Sequence, residues 1–309
     1  MGTNSFHMII AKLNQDGSIK LIDREKEVIR IGSHEGEGLS FISDKETEKA
    51  IRTLRNFKKL ADSYGAAFRA VATSAVREAE NKSWFIGEIR RSLGINVEVI
   101  DGREEAKMIY LGAAKALSLS GRNALCIDIG GGSTEIINVN KGKTIFSESI
   151  KIGAVRLSKQ FFPDFTIGKK KILGCSSHIE SLLTSSLNPY LDYDFEIAVG
   201  SSGTIEALAS IILQLSNRKV PRSLNSISFT KDELELVSGK ILSASTIKER
   251  LRIPGMEKNR ADILPAGLLI LNKIFQLFKI KEIVISGYAL REGIILNMMH
   301  NYQSLPDRN

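Results

Sequence analysis

Cysteine, tryptophan and aromatic residues are scarce in this chain. Its 309 residues include 2 cysteines and 1 tryptophan, and aromatic residues make up 6%. Cys126 and Cys175 form no CxxC pair, so the sequence predicts neither a disulfide framework nor a zinc site, and the cytoplasm is the default location. No basic segment is interleaved with Tyr or Phe, as a surface that stacks nucleic-acid bases would require. We therefore expect no nucleic-acid partner.

Long apolar segments are also missing. The most apolar run, residues 263–278, is interrupted by Asn272 and Lys273 and falls short of a membrane span. The N-terminus lacks the basic-then-apolar pattern of a signal peptide, and Phe6 stands where a myristoylation signal needs Ser or Thr. We therefore expect no membrane partner.

Two common nucleotide-binding signatures, GxGxxG and GxxxxGK[ST], do not occur in the sequence. The chain carries an excess of positive charge. It has 43 Lys and Arg residues and 35 Asp and Glu residues, which give a net charge of +8. A basic excess of this size favours an anionic partner without choosing its class.

What the sequence does contain is a run of three glycines between two apolar segments. Asp128 ends the first apolar segment, the glycines follow, and Glu135 lies at the start of the second. Glycines let the backbone turn sharply and bring amide N–H groups up to an anion. Two carboxylates on the two arms of such a hairpin suit a hard divalent cation that also binds phosphate. The alternative is a glycine-rich turn with two solvated acids.

Hydrophobic periodicity predicts alternating strands and helices in both halves of the chain. Ser43 and Glu46 form a capping box before the first helix, and Gly65 is a natural stop. Predicted helices cover residues 43–64, 82–93, 103–119, 154–162, 169–187, 205–215, 231–243, 259–278 and 290–301. Predicted strands cover residues 5–13, 18–31, 66–73, 96–100, 125–128, 134–139, 144–152, 196–199 and 282–286, with a turn at 14–17 and a loop at 216–228.

The two halves look like one unit used twice. Residues 2–5 (Gly-Thr-Asn-Ser) align with residues 130–133 (Gly-Gly-Gly-Ser), and each group leads into a strand. The second copy has a strand and Asp128 before its glycines, whereas the matching acid of the first copy would fall just before Met1. We therefore expect that the first copy lacks its leading strand, because the stated start is internal or the chain is truncated. The alternative is that the two copies diverge at their ends.

Six motifs in fixed order then carry a resemblance over essentially the whole chain. They are VATSAVREAEN (71–81), DGREEAKMIYLGA (101–113), IDIGGGSTE (127–135), VGSSGT (199–204), RIPGMEKNRADILPAG (252–267) and SGYALREG (286–293). Together they resemble the exopolyphosphatase/guanosine pentaphosphate phosphohydrolase (Ppx/GppA) family in its short, two-domain form.

The resemblance implies an α/β fold with two ribonuclease-H-like domains of the actin/sugar-kinase/heat-shock ATPase type and a phosphate cleft between them. The predicted first domain covers residues 1–116 and the C-terminal helix, 288–309, and lacks its first strand. The predicted second domain covers residues 117–287.

The resemblance also implies the roles of individual residues. Glu105 is similar to the general base of the family and Arg77 to its phosphate-binding arginine, while Asp128 and Glu135 would hold Mg²⁺ or Mn²⁺. The remaining implied contacts bind phosphate: Asn4, Ser5, Gly130, Gly131, Gly132, Ser133, Thr134, Gly200, Ser201, Ser202, Gly203 and Thr204.

Several of these assignments have alternatives in the sequence itself. Glu104 competes with Glu105 for the role of base, since a helix rotation of about 100° separates them. Glu105 on a solvated face near Lys107 is the simpler interpretation without the resemblance. For Arg77, the alternative is an ion pair with Glu78 or Glu80 at a helix start. His7 is interpreted as structural. A basic run is interpreted as a track for a long polyanion, with a local ion pair between Arg260 and Asp262 as the alternative for Arg260: Lys248, Arg250, Arg252, Lys258 and Arg260.

The predicted function is metal-dependent hydrolysis of terminal phosphoanhydride bonds in polyphosphate, guanosine pentaphosphate or both, with release of orthophosphate. The first alternative is a non-catalytic sensor of polyphosphate or an alarmone. The second is a kinase or ATPase of the same fold, which the Glu105 pattern disfavours. A homodimer is expected by analogy with other short members.

Overall fold

The computed structural model describes residues 1–14, 19–32 and 41–303 and divides into two compact units. Unit 1 comprises Met1–Gly112 with Leu290–Asn309, and unit 2 comprises Ala113–Ala289. The sequence placed these divisions after residues 116 and 287. Most of the predicted turn at residues 14–17 lies outside the described residues.

Unit 1 combines short sheets with helices. Strands β1 (Ser5–Leu13) and β2 (Ile19–Val28) form an antiparallel pair, and β3 (Ala70–Ala72) and β4 (Val97–Val99) form a parallel pair. Its helices are α1 (Asp44–Ser63), α2 (Ser74–Glu78), α3 (Lys82–Leu93), α4 (Gly102–Leu117), which continues into unit 2, and α11 (Leu290–Gln303).

The first long helix has the start that its sequence predicts. Ser43 accepts a hydrogen bond from the Glu46 amide, and the Glu46 side chain accepts one from the Ser43 amide, so both halves of the capping box are present. The turn after α1 contains Gly65 at φ +62°, a left-handed conformation that costs glycine little. The next stop, Gly94 after α3, adopts φ +65° in the same way.

Met1 extends the parallel pair of unit 1. Its nitrogen donates to the carbonyl of Val71 at 2.7 Å, and its carbonyl accepts from the amide of Thr73 at 3.2 Å. These two bonds flank Ala72 in β3, so Met1 is held beside the end of this strand. One apolar cluster fills the unit, with Phe6, Phe85 and Ile89 among its most buried side chains.

Unit 2 is built on a six-stranded sheet of order β7-β6-β5-β8-β10-β9. The strands are β5 (Asn123–Ile129), β6 (Thr134–Asn140), β7 (Lys143–Ile150), β8 (Ile197–Ser201), β9 (Ser228–Thr230) and β10 (Glu282–Ile285). The helices are α5 (Ala154–Phe161), α6 (Lys169–Leu187), α7 (Ser202–Leu215), α8 (Lys231–Ser243), α9 (Ile247–Arg250) and α10 (Leu264–Leu277), with a 3₁₀ turn at Asn188–Tyr190.

The centre of this sheet is buried and apolar. Strand β5 pairs antiparallel with β6 and parallel with β8, and all but its first residue are buried. Helix α10 buries ten consecutive or near-consecutive positions from Leu264 to Phe275 in the same core. Cys126 and Cys175 are free and buried, which agrees with the expectation that they form no disulfide.

The predicted basic run does not form one continuous surface. Lys248, Arg252 and Lys258 are exposed, but Arg250 is fully buried and Arg260 is 8% exposed. The Arg250 guanidinium is enclosed by four backbone carbonyls, at 2.6 to 3.2 Å: those of Phe165, Ala244, Ser245 and Ala261. Arg250 therefore stabilises the packing of unit 2, and the interpretation of this residue as part of a polyanion track is wrong.

Other differences from the predicted elements are local. Helices α2 and α9 and strand β9 were not predicted, and each has five residues or fewer. The helix predicted from residue 259 begins at Leu264, and the helix predicted from residue 205 begins at Ser202. The strand predicted to end at residue 199 continues through Gly200 to Ser201. Among the described residues, no helix is both long enough and apolar enough to span a membrane.

Candidate functional site

Glu105 lies in the first turn of α4 and is buried with an exposure of 6%. Nη1 of Arg77 donates to its Oε2 at 2.9 Å, and the side chain of Thr73 also hydrogen-bonds the carboxylate. Burial raises the pKa of Glu105, since desolvation outweighs the opposing effects of Arg77 and Thr73. A buried carboxyl group with a raised pKa is the usual state of a general base.

The alternatives that the sequence offered for Glu105 and for Arg77 are both contradicted by the observed contacts. Glu105 is buried and bonded to Arg77, so it does not lie on a solvated face beside Lys107. Arg77 makes its ion pair with Glu105, 28 residues along the chain, and not with Glu78 or Glu80. Glu104 is half-buried, which favours Glu105 as the more enclosed of the two carboxylates.

Residues 2–5 form a tight turn at the start of β1. The Gly2 amide donates to the Ser5 carbonyl at 3.2 Å, and the Asn4 carbonyl accepts from the amides of Ile29 and Arg30. Oδ1 of Asn4 is buried with no hydrogen-bond partner in the described part of the chain. A buried polar atom of this kind normally has a partner, so the Asn4 side chain fits a position that contacts a ligand or water.

The hydroxyl of Ser5 is linked to His7, which the sequence interpretation left as structural. Oγ of Ser5 lies 2.8 Å from Nε2 of His7, and Nδ1 of His7 lies 3.2 Å from Nη1 of Arg291 in α11. The side chain of Ser5 is thus fixed by a polar chain within unit 1. Neither His7 nor Arg291 was predicted as part of a site.

The glycine turn of unit 2 repeats the geometry of residues 2–5. The Gly130 amide donates to the Ser133 carbonyl at 3.0 Å, which is the bond that joins Gly2 to Ser5. The predicted alignment of residues 2–5 with 130–133 therefore corresponds to the same turn in both units. Because the Gly130 amide is used inside the turn, Gly130 shapes it and does not offer this N–H group to a phosphate.

The carbonyls of the same turn are held by the start of α5. The carbonyls of Gly130 and Gly131 accept from the first amides of the helix, at 2.9 to 3.0 Å, and the Gly132 carbonyl accepts from Nε of Arg156 at 2.8 Å. A Cβ at Gly153 would lie 2.5 Å from the Gly131 carbonyl, so only glycine permits this approach. Arg156 was not predicted.

Ser133 and Thr134, which follow the glycines, are buried. Oγ1 of Thr134 donates to the Ile152 carbonyl at 2.7 Å, so this hydroxyl is used within unit 2. Any contact of Thr134 with phosphate would therefore involve its backbone.

Asp128 and Glu135 are direct cross-strand partners in the β5–β6 pair. They continue a polar row over four strands, since Ser201 is the partner of Asp128 in β8 and Ser149 is the partner of Glu135 in β7. Ser201 Oγ donates to Asp128 Oδ2 at 2.5 Å, and Ser149 Oγ donates to Glu135 Oε1 at 2.7 Å. The sequence predicted that the two carboxylates lie on facing arms of a hairpin. The strand register confirms this placement.

The alternative for the hairpin assumed that Asp128 and Glu135 are solvated. The structure contradicts it, because both side chains are buried. Their exposures are 9% for Asp128 and 1% for Glu135. Like charges directly opposite each other in a sheet repel. Carboxylate oxygens are the ligands that Mg²⁺ takes, and a bound divalent cation would offset that repulsion. No group of three or more His, Cys, Asp or Glu side chains suited to a metal occurs among the residues that the structure describes.

The third predicted phosphate segment forms the start of α7. Ser201 is the N-cap residue, but its hydroxyl is turned to Asp128 and does not cap the helix. The first amides of a helix have no partner inside the helix, so Ser202, Gly203 and Thr204 present N–H groups that suit an anion. Ser202 has φ +86°, a strained value of the kind found at binding sites, and its Oγ donates to the Ile129 carbonyl.

Two glycines of this segment lie close to other side chains. A Cβ at Gly200 would lie 2.8 Å from the side chains of Ile205 and Ile283. A Cβ at Gly203 would lie 1.8 Å from Nη2 of Arg260, whose guanidinium fills that space. The sequence offered no signal that would connect Arg260 with Gly203, which lie 57 positions apart (260 − 203).

The sequence of this chain is similar to those of known phosphatases. A model of the Ppx/GppA phosphatase family matches residues 9–302. A guanosine-5'-triphosphate,3'-diphosphate pyrophosphatase from Pseudoalteromonas atlantica is 30% identical over 304 residues, which cover 98% of this chain and 58% of that protein. The chain therefore spans less than two thirds of the length of this relative.

Two solved structures resemble the chain over nearly its whole length. An exopolyphosphatase from Cytophaga hutchinsonii has a TM-score of 0.86 and 28% identity, covering 97% of this chain and 96% of that one. The Ppx/GppA family member of Aquifex aeolicus has a TM-score of 0.81 and 25% identity, with coverages of 99% and 97%. The predicted fold class, two ribonuclease-H-like α/β domains, is confirmed. The chain belongs to the Ppx/GppA phosphatase family.

Proposed function

We propose that this protein hydrolyses the terminal phosphoanhydride bond of inorganic polyphosphate or guanosine pentaphosphate and releases orthophosphate. The observation that carries the proposal is the buried Glu105 carboxyl group, with its raised pKa and its 2.9 Å contact to Arg77. The substrate class is supported by two similar proteins, one named an exopolyphosphatase and the other a guanosine-5'-triphosphate,3'-diphosphate pyrophosphatase.

Glu105 would act as the general base. A water oxygen forms a bond to the terminal phosphorus, the bridging P–O bond breaks with its electron pair going to the leaving phosphate, and the water proton passes to the Glu105 carboxylate. A base is most efficient when its pKa lies near the working pH. Burial moves the pKa of Glu105 in that direction.

Arg77 would position Glu105 and bind phosphate oxygens. One nitrogen, Nη1, is used by Glu105 and by the Ile100 carbonyl. A guanidinium has five N–H donors in a planar fork, so the others suit the negatively charged oxygens of a phosphoryl group. The Arg77 side chain keeps an exposure of 21%, which a ligand contact requires.

Asp128 and Glu135 would hold a Mg²⁺ or Mn²⁺ ion. Mg²⁺ is commonly held by one or two carboxylates, with water and substrate phosphates as its other ligands, and this pair supplies that number. When bound, the ion would neutralise charge on the transferring phosphoryl group.

Backbone N–H groups of unit 2 would bind the phosphate oxygens. The best candidates are the first amides of α7, since the hydroxyl of the N-cap Ser201 is used by Asp128. Gly131, Gly132 and Ser133 would contribute amides of the glycine turn, whose carbonyls are held by α5. Asn4 and Ser5 would contribute side chains in unit 1.

The test is orthophosphate release from polyphosphate and, separately, from guanosine pentaphosphate, with Mg²⁺ and with excess EDTA. We expect Glu105→Gln to lower the rate by about 100- to 10,000-fold, the usual contribution of a positioned base. Glu104→Gln is the matched control, because it makes the same chemical change one residue away and should retain most of the activity. EDTA should abolish release and added Mg²⁺ or Mn²⁺ should restore it.

Two results would overturn the proposal. Equal rates for the wild type and Glu105→Gln would remove the assigned base. Tight binding of either substrate by the wild type without release of orthophosphate would favour the non-catalytic sensor. The homodimer and the cytoplasmic location stay predictions of the sequence.

A further inference from the structure

Two serines occupy the outer ends of the polar row that crosses the sheet of unit 2. The order across the strands is Ser201 in β8, Asp128 in β5, Glu135 in β6 and Ser149 in β7, each residue being the direct partner of the next. Each serine donates its hydroxyl to the neighbouring carboxylate, at 2.5 Å to Asp128 and at 2.7 Å to Glu135.

We propose that Ser149 and Ser201 are positioning residues that hold the Asp128 and Glu135 carboxylates in the arrangement that binds the divalent cation. The inference rests on the proposed metal role of this carboxylate pair and adds the groups that orient it. Ser149 carried no signal in the sequence, and Ser201 was predicted only as a phosphate contact.

The backbone alone does not fix the carboxylates. Strand pairing sets the Cα positions of Asp128 and Glu135, but the side-chain torsions remain to be fixed, and a Glu side chain has one more rotatable bond than Asp. Two like charges directly opposite each other also tend to move apart. A hydroxyl donor on the outer side of each carboxylate restrains it, because an ionised carboxylate accepts hydrogen bonds only.

The direction of the Ser201 hydroxyl agrees with this role. Ser201 is the N-cap residue of α7, and a serine there commonly accepts a hydrogen bond from the first turn of its helix. Here the hydroxyl donates to Asp128 instead. Ser201 thus gives up a capping contact and orients a carboxylate.

The two serines should differ in importance. Glu135 has the longer side chain and loses more conformational freedom when it is held in one position. Removal of the Ser149 hydroxyl should therefore weaken metal binding more than removal of the Ser201 hydroxyl. Partners that orient metal ligands typically change affinity by about 10- to 100-fold when they are mutated.

Ser147 supplies a matched control in the same strand. It lies two residues before Ser149 in β7, on the same face of the sheet, and its cross-strand partner is Ile137. Its Oγ has no hydrogen-bond partner among the described residues. Ser147→Ala therefore removes the same atom from the same strand without changing a contact to either carboxylate.

The experiment measures Mn²⁺ binding to the full chain by electron paramagnetic resonance of free Mn²⁺, without substrate. We expect Ser149→Ala to weaken Mn²⁺ binding by about 10-fold or more, Ser149→Thr to bind as the wild type, and Ser147→Ala to bind as the wild type. In the orthophosphate assay, saturating Mg²⁺ should restore kcat of Ser149→Ala. If Ser149→Ala does not fold, Ser201→Ala replaces it, with the same expected direction and a smaller effect.

The outcomes separate this inference from the proposed function. Asp128→Asn binding Mn²⁺ as tightly as the wild type, or no binding by the wild type, would overturn the metal pair and the inference with it. Loss of binding in Asp128→Asn with wild-type affinity in Ser149→Ala would overturn only the positioning role. Equal weakening by Ser147→Ala and Ser149→Ala would also overturn it, since the effect would then belong to the strand.

Discussion

Arg77 donates a hydrogen bond from Nη1 to Oε2 of Glu105 and another from the same atom to the carbonyl of Ile100, both at 2.9 Å. The second bond ties the guanidinium to the segment that joins β4 to α4. Arg77 is therefore held next to the first turn of α4, which contains Glu105. The pKa of Glu105 is therefore set by burial, which raises it, against Arg77, which lowers it.

Replacing Arg77 with Met should move the acidic limb of the pH–rate profile to higher pH. Loss of the hydrogen bond and of the positive charge removes two effects that lower the pKa of Glu105, while its burial remains. A base must be deprotonated to accept a proton, so activity should begin at a higher pH than in the wild type. The measurement is kcat/KM for orthophosphate release as a function of pH.

Arg69→Met is the control for this prediction. Arg69 also pairs with a glutamate in unit 1, Glu98, but both side chains lie at the surface. Its replacement should leave the acidic limb in place. An unchanged limb in Arg77→Met would show that Arg77 does not influence the ionisation of the base.

Glu105→Gln should stabilise unit 1 in a pH-dependent way. The pKa of Glu105 is raised in the folded protein above its ordinary value of 4.5, so its favourable contribution is complete at low pH and is lost as the pH rises through the folded pKa. Gln imitates the protonated form at every pH. The variant should therefore match the wild type near pH 4 and be more stable at pH 8, by about 1.4 kcal/mol for each unit by which the pKa is raised.

The single tryptophan makes this measurement specific for unit 1. Trp84 lies in α3 and is 42% exposed, so its fluorescence follows the urea unfolding of this unit. Glu104→Gln, which removes a half-buried carboxylate one residue away, is the matched control for the chemical change. A stabilisation of Glu105→Gln that is equal at pH 4 and pH 8 would contradict a raised pKa.

The sequence predicted those parts of the fold that depend on local patterns. Helix α1 begins and ends as its capping box and Gly65 indicate, and the aligned turns at residues 2–5 and 130–133 contain the same hydrogen bond. The facing of Asp128 and Glu135 followed from a hairpin, in which register is fixed by a short turn.

Contacts between distant segments could not be predicted in this way. Ser149 reaches Glu135 only through the β6–β7 register, and Thr73 reaches Glu105 only because β3 ends near the start of α4. Arg250 looked like its exposed neighbours in sequence, since nothing local shows that four carbonyls surround it. Such partners are set by tertiary packing, which periodicity does not encode.

Gly153→Ala should disturb both the stability of unit 2 and its glycine turn. A Cβ at this position would lie 2.5 Å from the Gly131 carbonyl, and the contact is with backbone, which cannot move aside cheaply. Overpacking of this kind costs about 1–3 kcal/mol. We expect a lower urea midpoint by far-UV circular dichroism and a large loss of orthophosphate release, since the turn would shift.

Gly239→Ala is the matched control in the same unit. Gly239 lies inside α8, and a Cβ there meets nothing within 4 Å. Alanine should therefore stabilise this helix by about 0.5–1 kcal/mol. Equal stability of Gly153→Ala and the wild type would contradict the close approach of α5 to the turn.

Arg250→Met should unfold unit 2 at a much lower urea concentration than the wild type. The guanidinium is fully buried and donates to four backbone carbonyls, of which the Ala261 carbonyl makes a buried bond and the other three make partly buried bonds. A buried acceptor that loses its partner costs about 1–3 kcal/mol, and the partly buried ones should cost less because water can reach them. Arg252→Met is the matched control, because Arg252 is exposed and such changes usually stay within about 0.5 kcal/mol. The two variants should differ by at least about 1 kcal/mol in the free energy of unfolding measured by far-UV circular dichroism. Similar urea midpoints would show that the carbonyls around Arg250 find other donors, and its role in holding α9 against residues 165 and 261 would be wrong.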